Sequence, residues 1–226
     1  MRSDERTMPT EEKQPPFNAF GELRRFVRRP EFEEHCELCG VRVAPEHEHL
    51  VEPGKRRLVC ACQACAILFS GQTGQRYKRV PAQIRLLAGF RLTDAQWDSL
   101  MVPINMAFFY VSSVSGKVTA VYPSPAGATE SLLPLETWQQ IVAENPDLEF
   151  MESDVEALLV NRLGPQRGFP KHRYFLLPID QCFKLVGLVR SNWRGLSGGE
   201  ELWQRLSLYF ASLSARAAVS GVPQNA

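Results

Sequence analysis

Long apolar runs are absent from this sequence. No stretch reaches the roughly eighteen apolar residues that a membrane-spanning helix requires. The first residues, Met1–Pro9, also lack the apolar core of a secretory signal. We therefore expect a cytoplasmic protein without a membrane span, in which thiols stay reduced. There, paired cysteines favour metal or redox chemistry over structural disulfides.

A large net charge is absent as well. The 226 residues include 26 Lys and Arg against 25 Asp and Glu, a formal net charge of +1. This balance argues against a generally basic nucleic-acid binder, so a nucleic-acid partner is not expected. The length is sufficient for one large domain or for a small module followed by a larger domain.

Acidic residues are missing from Gly54 to Thr93, where eight basic residues occur. The preceding segment, Glu31–Glu52, has the opposite bias, with seven acidic residues and one basic residue. This asymmetry has two interpretations. It marks a binding face, or the basic side chains offset the negative charge of clustered thiolates.

Five of the six cysteines are clustered, and four of them form two Cys-x-x-Cys pairs. The pairs are Cys36 with Cys39 and Cys62 with Cys65, and 22 residues separate Cys39 from Cys62. Each pair folds back and presents two sulfurs, and two pairs supply the tetrahedron that Zn²⁺ or iron needs at about 2.3 Å. Gly40 permits the left-handed backbone that commonly follows the first pair. The spacing predicts a metal site of four cysteines.

The remaining cysteines and histidines are interpreted differently. Cys60 lies two residues from Cys62, and we expect their two side chains to project to opposite faces. We interpret Cys60 as a small buried side chain, with a redox-exchanging thiol as the alternative. Cys182 is expected in the core, and His35 at the surface unless it replaces a cysteine ligand.

The segment after the second pair bears on the metal. Cys65 runs directly into the apolar Ala66–Phe69, and no glycine follows until Gly71. Such a helix start resembles a treble clef, in which the helix dipole helps to stabilise the thiolates. Rubredoxin-type iron sites instead place both pairs on matching loops that contain glycine. We therefore expect structural Zn²⁺, with a rubredoxin-like Fe site and an electron carrier as the alternative.

The segment Glu48–Pro53, between the two cysteine pairs, resembles HNH endonucleases built on a treble clef. In that family the histidine at the position of His49 is the general base, and His or Asn residues on the last helix hold a catalytic ion. The helix after Cys65 has neither residue. We therefore expect no enzyme activity, and we expect His47 and His49 in a solvent-exposed hairpin. A nucleic-acid-binding, degenerate HNH-like module that uses His49 and the basic segment 55–91 is the alternative.

The rest of the chain predicts an α+β fold in which a zinc-ribbon or treble-clef metal module precedes a mainly antiparallel sheet domain. The predicted segments are a disordered tail (1–16), a helix plus the metal module (17–80), the α+β domain (81–216) and a flexible tail (217–226). Helices are expected at 17–29, 93–100, 134–144 and 199–217, the last with a capping box of Ser197 and Glu200. Strands are expected at 104–114, 118–122, 173–177 and 182–189, a loop at 123–131, and either helix or strand at 155–162.

Several sequence segments resemble those of an uncharacterised bacterial family whose members are encoded beside oxygen-tolerant nickel–iron uptake hydrogenases. The segments are Cys36–Gly40, Leu58–Cys65, Tyr122–Ser131, Val155–Arg162, Leu185–Arg190 and Trp193–Gly199. The resemblance covers about residues 35 to 213. It implies a non-enzymatic accessory factor for assembly or maturation that binds a hydrogenase subunit, and it implies no catalytic residues. We expect protein contacts on the loops at 123–131 and 164–172.

Overall fold

The cysteine pairs belong to a small three-stranded antiparallel sheet with one helix. The computed structural model describes residues 33–70, 76–131, 135–169 and 171–220. The strands are β1 (Glu48–Glu52), β2 (Arg57–Ala61) and β3 (Lys78–Arg79), in the order β2-β1-β3. Helix α1 (Gln63–Phe69) follows β2 after a single residue. The predicted helix at 17–29 and the predicted tail at 1–16 lie outside the described residues.

A seven-stranded sheet organises most of the remaining chain. Its strands are β4 (Arg85–Leu87), β5 (Met106–Val111), β6 (Val118–Ser124), β7 (Gly127–Ser131), β8 (Glu156–Asn161), β9 (Arg173–Pro178) and β10 (Ala218–Ser220). The order is β10-β4-β9-β8-β5-β6-β7, and every pair is antiparallel except β10 with β4. The helices are α2 (Asp94–Ser99), α3 (Leu135–Glu144), α4 (Ile179–Asn192) and α5 (Glu200–Arg216). The α+β fold with antiparallel sheets is thus confirmed.

Helices cover both faces of the large sheet. In β8, Ala157 and Leu159 pack with α4 and α5, whereas Leu158 and Val160 pack with α2 and α3. Because successive strand residues face opposite sides, a strand covered on both faces becomes a continuous apolar run. This explains why the sequence of 155–162 fits a helix and a strand equally well. The structure settles the question as a strand.

One strand assignment and one loop assignment were wrong. Residues 182–189 are helical, and the buried positions of α4 are Ile179, Cys182, Leu185, Val186 and Val189. That spacing of three and four residues is helical, but the short apolar run Leu185–Val189 suggested a strand. The predicted loop at 123–131 is a hairpin, in which Ser124 pairs with Gly127. Pro123 lies in β6 beyond the residues that pair with β5, so its missing N–H removes no hydrogen bond to β5, and β7 forms the edge of the sheet.

The other helix predictions are confirmed in outline. Thr93 caps α2 by accepting the Gln96 backbone N–H, and the Gln96 side chain returns to the Thr93 N–H. The predicted capping box at Ser197 is wrong, because α5 begins after Gly199 and has no side-chain cap. The predicted tail at 217–226 begins with strand β10, and its last residues lie outside the described part. Within the described residues, no helix combines the length and apolarity needed to cross a bilayer.

Candidate metal centre

The first cysteine pair is held by a tight turn of the backbone. The Gly40 N–H donates to the Cys36 carbonyl at 2.8 Å, and the Cys36 N–H donates to the Val41 carbonyl at 2.8 Å. Gly40 has a φ of +77°, in the left-handed region that L-amino acids adopt at a cost. The turn directs the side chains of Cys36 and Cys39 to the same side of the chain.

The second cysteine pair lies at the beginning of helix α1. Cys62 is the N-cap residue, and its sulfur accepts the Cys65 backbone N–H at 3.4 Å. The positive end of the helix dipole therefore points at the sulfurs and favours their deprotonated form. This is the helix position that the sequence predicted for Cys65.

The β1–β2 hairpin brings the two pairs together. The Sγ atoms of Cys36, Cys39, Cys62 and Cys65 all lie within 4.8 Å of one another. The Cys39 and Cys62 sulfurs are 3.8 Å apart, which matches the edge of about 3.8 Å of a tetrahedron with metal–sulfur bonds of about 2.3 Å. All six cysteines are free. The four cysteines that the sequence grouped therefore could hold one metal ion.

The pKa values of these thiols differ from one cysteine to the next. Burial raises the pKa of Cys36, but the backbone N–H groups of Cys62, Leu38 and Cys39 outweigh burial and lower it to about 6. Burial and the neighbouring sulfurs raise the pKa of Cys65 to about 12. A negative charge on one sulfur thus makes deprotonation of the neighbouring thiol less favourable. A bound cation is what allows all four sulfurs to be thiolates together.

Apolar packing surrounds one side of the cysteine cluster. Cys36 is 1% exposed and Cys65 is 7% exposed, and they pack with Leu50, Val59 and Ala61 of the hairpin. Cys39, in contrast, is exposed. A core of this size is small for independent folding, and a bound ion would supply the missing stabilisation.

The histidines of the hairpin do not lie where the sequence predicted. His47 and His49 were expected in a solvent-exposed hairpin, but their side chains are only 6% and 21% exposed. Helix α4 reduces the exposure of His49, because the Asp180 carboxylate at its start lies 3.3 Å from His49 Nδ1. Both histidines line a cleft of about 980 Å³ between the hairpin and the large sheet domain.

Val59 and Ala61 of β2 pack with Cys36 and Cys65, so Cys60 between them points to the other face of the strand. Residues two apart in a strand share a face, so strand geometry did not support the predicted projection of Cys60 and Cys62 to opposite faces. β2 ends at Ala61, and Cys62 is already the N-cap of α1. Cys60 is half-buried, and its sulfur lies within 4.8 Å of a ring nitrogen of both His47 and His49. The pattern His47-x-His49 with a cysteine in the next strand is the sequence signal for this second grouping, which sequence reasoning missed.

Intramolecular ion pairs account for the basic segment after Gly54. Arg79 forms two hydrogen bonds to Glu48, Arg76 pairs with Glu52 and Arg57 pairs with Glu37. Further pairs join Arg56 to Glu130, Lys78 to Asp154 and Arg85 to Glu156. Of these six pairs, three join the basic segment to acidic residues of Glu31–Glu52, and three join it to acidic residues of the large sheet domain.

Comparison with known proteins gives one family and no relative of assigned function. No curated protein and no solved structure matches the chain. The profile of one family, described as a family of unknown function, matches residues 35–217. This range begins next to Cys36 and ends after α5, so it includes both cysteine pairs and the large sheet. The chain therefore belongs to the DUF5947 family of unknown function.

Proposed function

We propose that the protein is a non-enzymatic accessory factor that binds a subunit of a redox metalloenzyme, with a nickel–iron hydrogenase subunit as the partner. In this proposal the four-cysteine site is architectural and holds the docking surface in shape. The resemblance to proteins encoded beside nickel–iron hydrogenases supports the choice of partner. A maturation role follows from the same resemblance.

The observation that carries the proposal is an exposed apolar surface on α1. Ile67, Leu68 and Phe69 are 61%, 69% and 40% exposed, respectively. These three large side chains come two to four residues after Cys65, so an ion at the cysteine cluster would fix the direction in which they point. Contiguous exposed apolar residues of this kind are typical of protein–protein contacts.

Zn²⁺ is the ion that fits this architectural role best. The order of a cysteine turn, a hairpin and a helix that begins at the second pair is that of a treble clef, whose zinc sites are structural and closed. We propose that the module is of this type. Protein isolated from iron-replete cells is expected to be colourless and to contain about one tightly bound zinc per chain.

A rubredoxin-like electron carrier is the second candidate, and the exposed Cys39 favours it. An iron ion there would be close to solvent and to an electron-transfer partner. Such a protein would be red when oxidised and would lose its colour on reduction. Untagged protein from iron-replete cells distinguishes the two candidates, because only one of them absorbs visible light.

Capture of partners from the native host tests the docking proposal. Tagged wild-type protein is expected to retain a hydrogenase subunit, and Leu68→Glu is expected to lose it because a charge then has to be buried in the contact. Leu208→Glu is the matched control, since Leu208 is 72% exposed on α5, away from the metal module. Absence of any hydrogenase subunit with the wild type, or equal capture by Leu68→Glu, would contradict the proposal.

A further inference from the structure

His47, His49 and Cys60 share one face of the β1–β2 hairpin. His49 and Cys60 are direct partners in the antiparallel register, and directly opposed side chains project to the same side. His47 precedes His49 by two residues, so it points the same way. One ring nitrogen of each histidine and the Cys60 sulfur lie within 4.8 Å of one another.

An acceptor oxygen lies beside Nδ1 of both rings. His47 Nδ1 lies 2.8 Å from the Ala44 carbonyl oxygen. A carbonyl only accepts, so Nδ1 carries the proton and Nε2 keeps a lone pair. His49 Nδ1 lies 3.3 Å from the Asp180 carboxylate, and a negatively charged acceptor at this position favours a proton on Nδ1. Metal-binding histidines are typically fixed by such a partner on the other ring nitrogen.

The free nitrogen of His47 is the observation that points to a ligand. His47 Nε2 is buried and has no hydrogen-bond partner in the described part of the chain, and the side chain is only 6% exposed. Leaving such an atom unpaired is unfavourable, and native structures seldom tolerate it without a reason. A bound cation beside the nitrogen would remove this penalty.

We propose that His47, His49 and Cys60 bind a second metal ion, a divalent transition ion such as Zn²⁺, Co²⁺ or Ni²⁺. Two imidazoles and one thiolate are the donors that these ions prefer. Three protein donors leave a coordination position open, and two of the donors, His47 and His49, line the cleft of about 980 Å³. The site is therefore exchangeable, in contrast to the closed four-cysteine site. This proposal does not depend on the hydrogenase partner.

Cobalt binding tests the second site directly. Protein that already holds one ion in the four-cysteine cluster is dialysed against Co²⁺, and bound cobalt is counted by elemental analysis. The wild type is expected to take up about one Co²⁺ with a thiolate-to-cobalt absorption band. His47→Ala is expected to lose the cobalt, Cys60→Ser to lose the band, and His172→Ala, a change to an exposed histidine outside the cluster, to keep both. Asp180→Asn is expected to weaken binding by about tenfold because it orients His49.

Alkylation of the wild-type protein gives a test that needs no variant. Co²⁺ is expected to slow the modification of Cys60 by N-ethylmaleimide about tenfold or more, as located by peptide mass spectrometry. Wild-type protein that binds no cobalt beyond the first ion, with Cys60 alkylated at the same rate with and without Co²⁺, would overturn the proposal. Neither result bears on the capture of a hydrogenase subunit.

Discussion

Lys78 Nζ lies 2.8 Å from a carboxylate oxygen of Asp154 and thereby joins the small sheet to the large one. The same lysine donates to the Ser153 carbonyl at 3.1 Å, and the other Asp154 oxygen accepts the Ser113 backbone N–H at 2.9 Å. Asp154 therefore connects β3 with the β5–β6 turn and with the segment before β8. It is only 4% exposed.

Replacement of Asp154 by Asn tests this link. We expect the free energy of unfolding to fall by about 1 to 2 kcal/mol, because a charge-assisted hydrogen bond is lost while Lys78 stays partly in water. Asn keeps the left-handed φ of +71° at this position. The measurement is denaturant unfolding at neutral pH. The control is Glu130→Gln, which removes an exposed pair with Arg56 and should change the free energy by less than about 1 kcal/mol.

The pH dependence of the same link has a definite sign. Burial raises the pKa of Asp154, but Lys78 and Ser113 outweigh it and hold the pKa below its ordinary value of 3.8. A carboxyl with a depressed pKa stabilises the fold fully above its unfolded-state pKa and loses that contribution as the pH falls through its folded-state pKa. The difference between wild type and Asp154→Asn should therefore be constant above about pH 5 and shrink below about pH 4. A difference that grows on acidification would refute this assignment.

Removal of one ligand from the four-cysteine cluster should release the tightly bound ion. We expect Cys36→Ser to contain almost none of the approximately one ion per chain that the wild type retains after passage over a weak chelating resin. Cys182→Ala is the control, because Cys182 is a buried cysteine of α4 far in sequence from the cluster. It should cost about 1 to 2 kcal/mol of stability and leave the ion in place. Equal metal content in the wild type and Cys36→Ser would argue against the cluster as the site.

Two glycines should respond to alanine with opposite signs. A Cβ at Gly40 would meet no neighbour within 4 Å, but the φ of +77° makes Gly40→Ala unfavourable by about 1 kcal/mol. Gly187 lies in the middle of α4, and a Cβ there also has open space around it. Gly187→Ala should raise the free energy of unfolding by about 0.5 to 1 kcal/mol, because glycine is a poor helix residue. Thermal unfolding of the two variants beside the wild type measures both changes.

The cap of α2 provides a local test of the large domain. Thr93→Ala should lower the free energy of unfolding by about 1 kcal/mol, since the Gln96 N–H loses its acceptor. Thr93→Ser retains a hydroxyl and should stay close to the wild type. If Thr93→Ser lowers the free energy of unfolding as much as Thr93→Ala does, the methyl group of Thr93 rather than its oxygen stabilises the helix end.

Local features were predictable from the sequence, and features that depend on distant contacts were not. The cysteine turn at Gly40 and the capping box at Thr93 involve residues within four positions of each other, so the sequence displays them directly. The helical state of 182–189 depends on packing against the large sheet, and the short apolar run by itself fits either a helix or a strand. The burial of His49 depends on Asp180, more than a hundred residues away, and no local pattern encodes such a contact.

The prediction of the metal site had the same limit. Spacing alone identified Cys36, Cys39, Cys62 and Cys65, because each pair forms its own turn. The face of β2 on which Cys60 lies was not predictable from its spacing to Cys62, because β2 ends at Ala61 and Cys62 lies outside the strand. The neighbours of Cys60 were not predictable either, because His49 meets Cys60 only through the register of β1 and β2.

Side chains alternate between the two faces of β2, so the β1–β2 hairpin determines which cysteines face the metal cluster. A slip of β2 by one residue against β1 would turn Cys60 toward the sulfur cluster and Val59 toward the histidines. Five neighbouring cysteines offer several wrong sets of four, and sequence spacing by itself does not forbid all of them. The register of β1 and β2 excludes these wrong sets. A mutation that weakens the pairing of the two strands should therefore change which four sulfurs bind the first ion, even if every cysteine is intact.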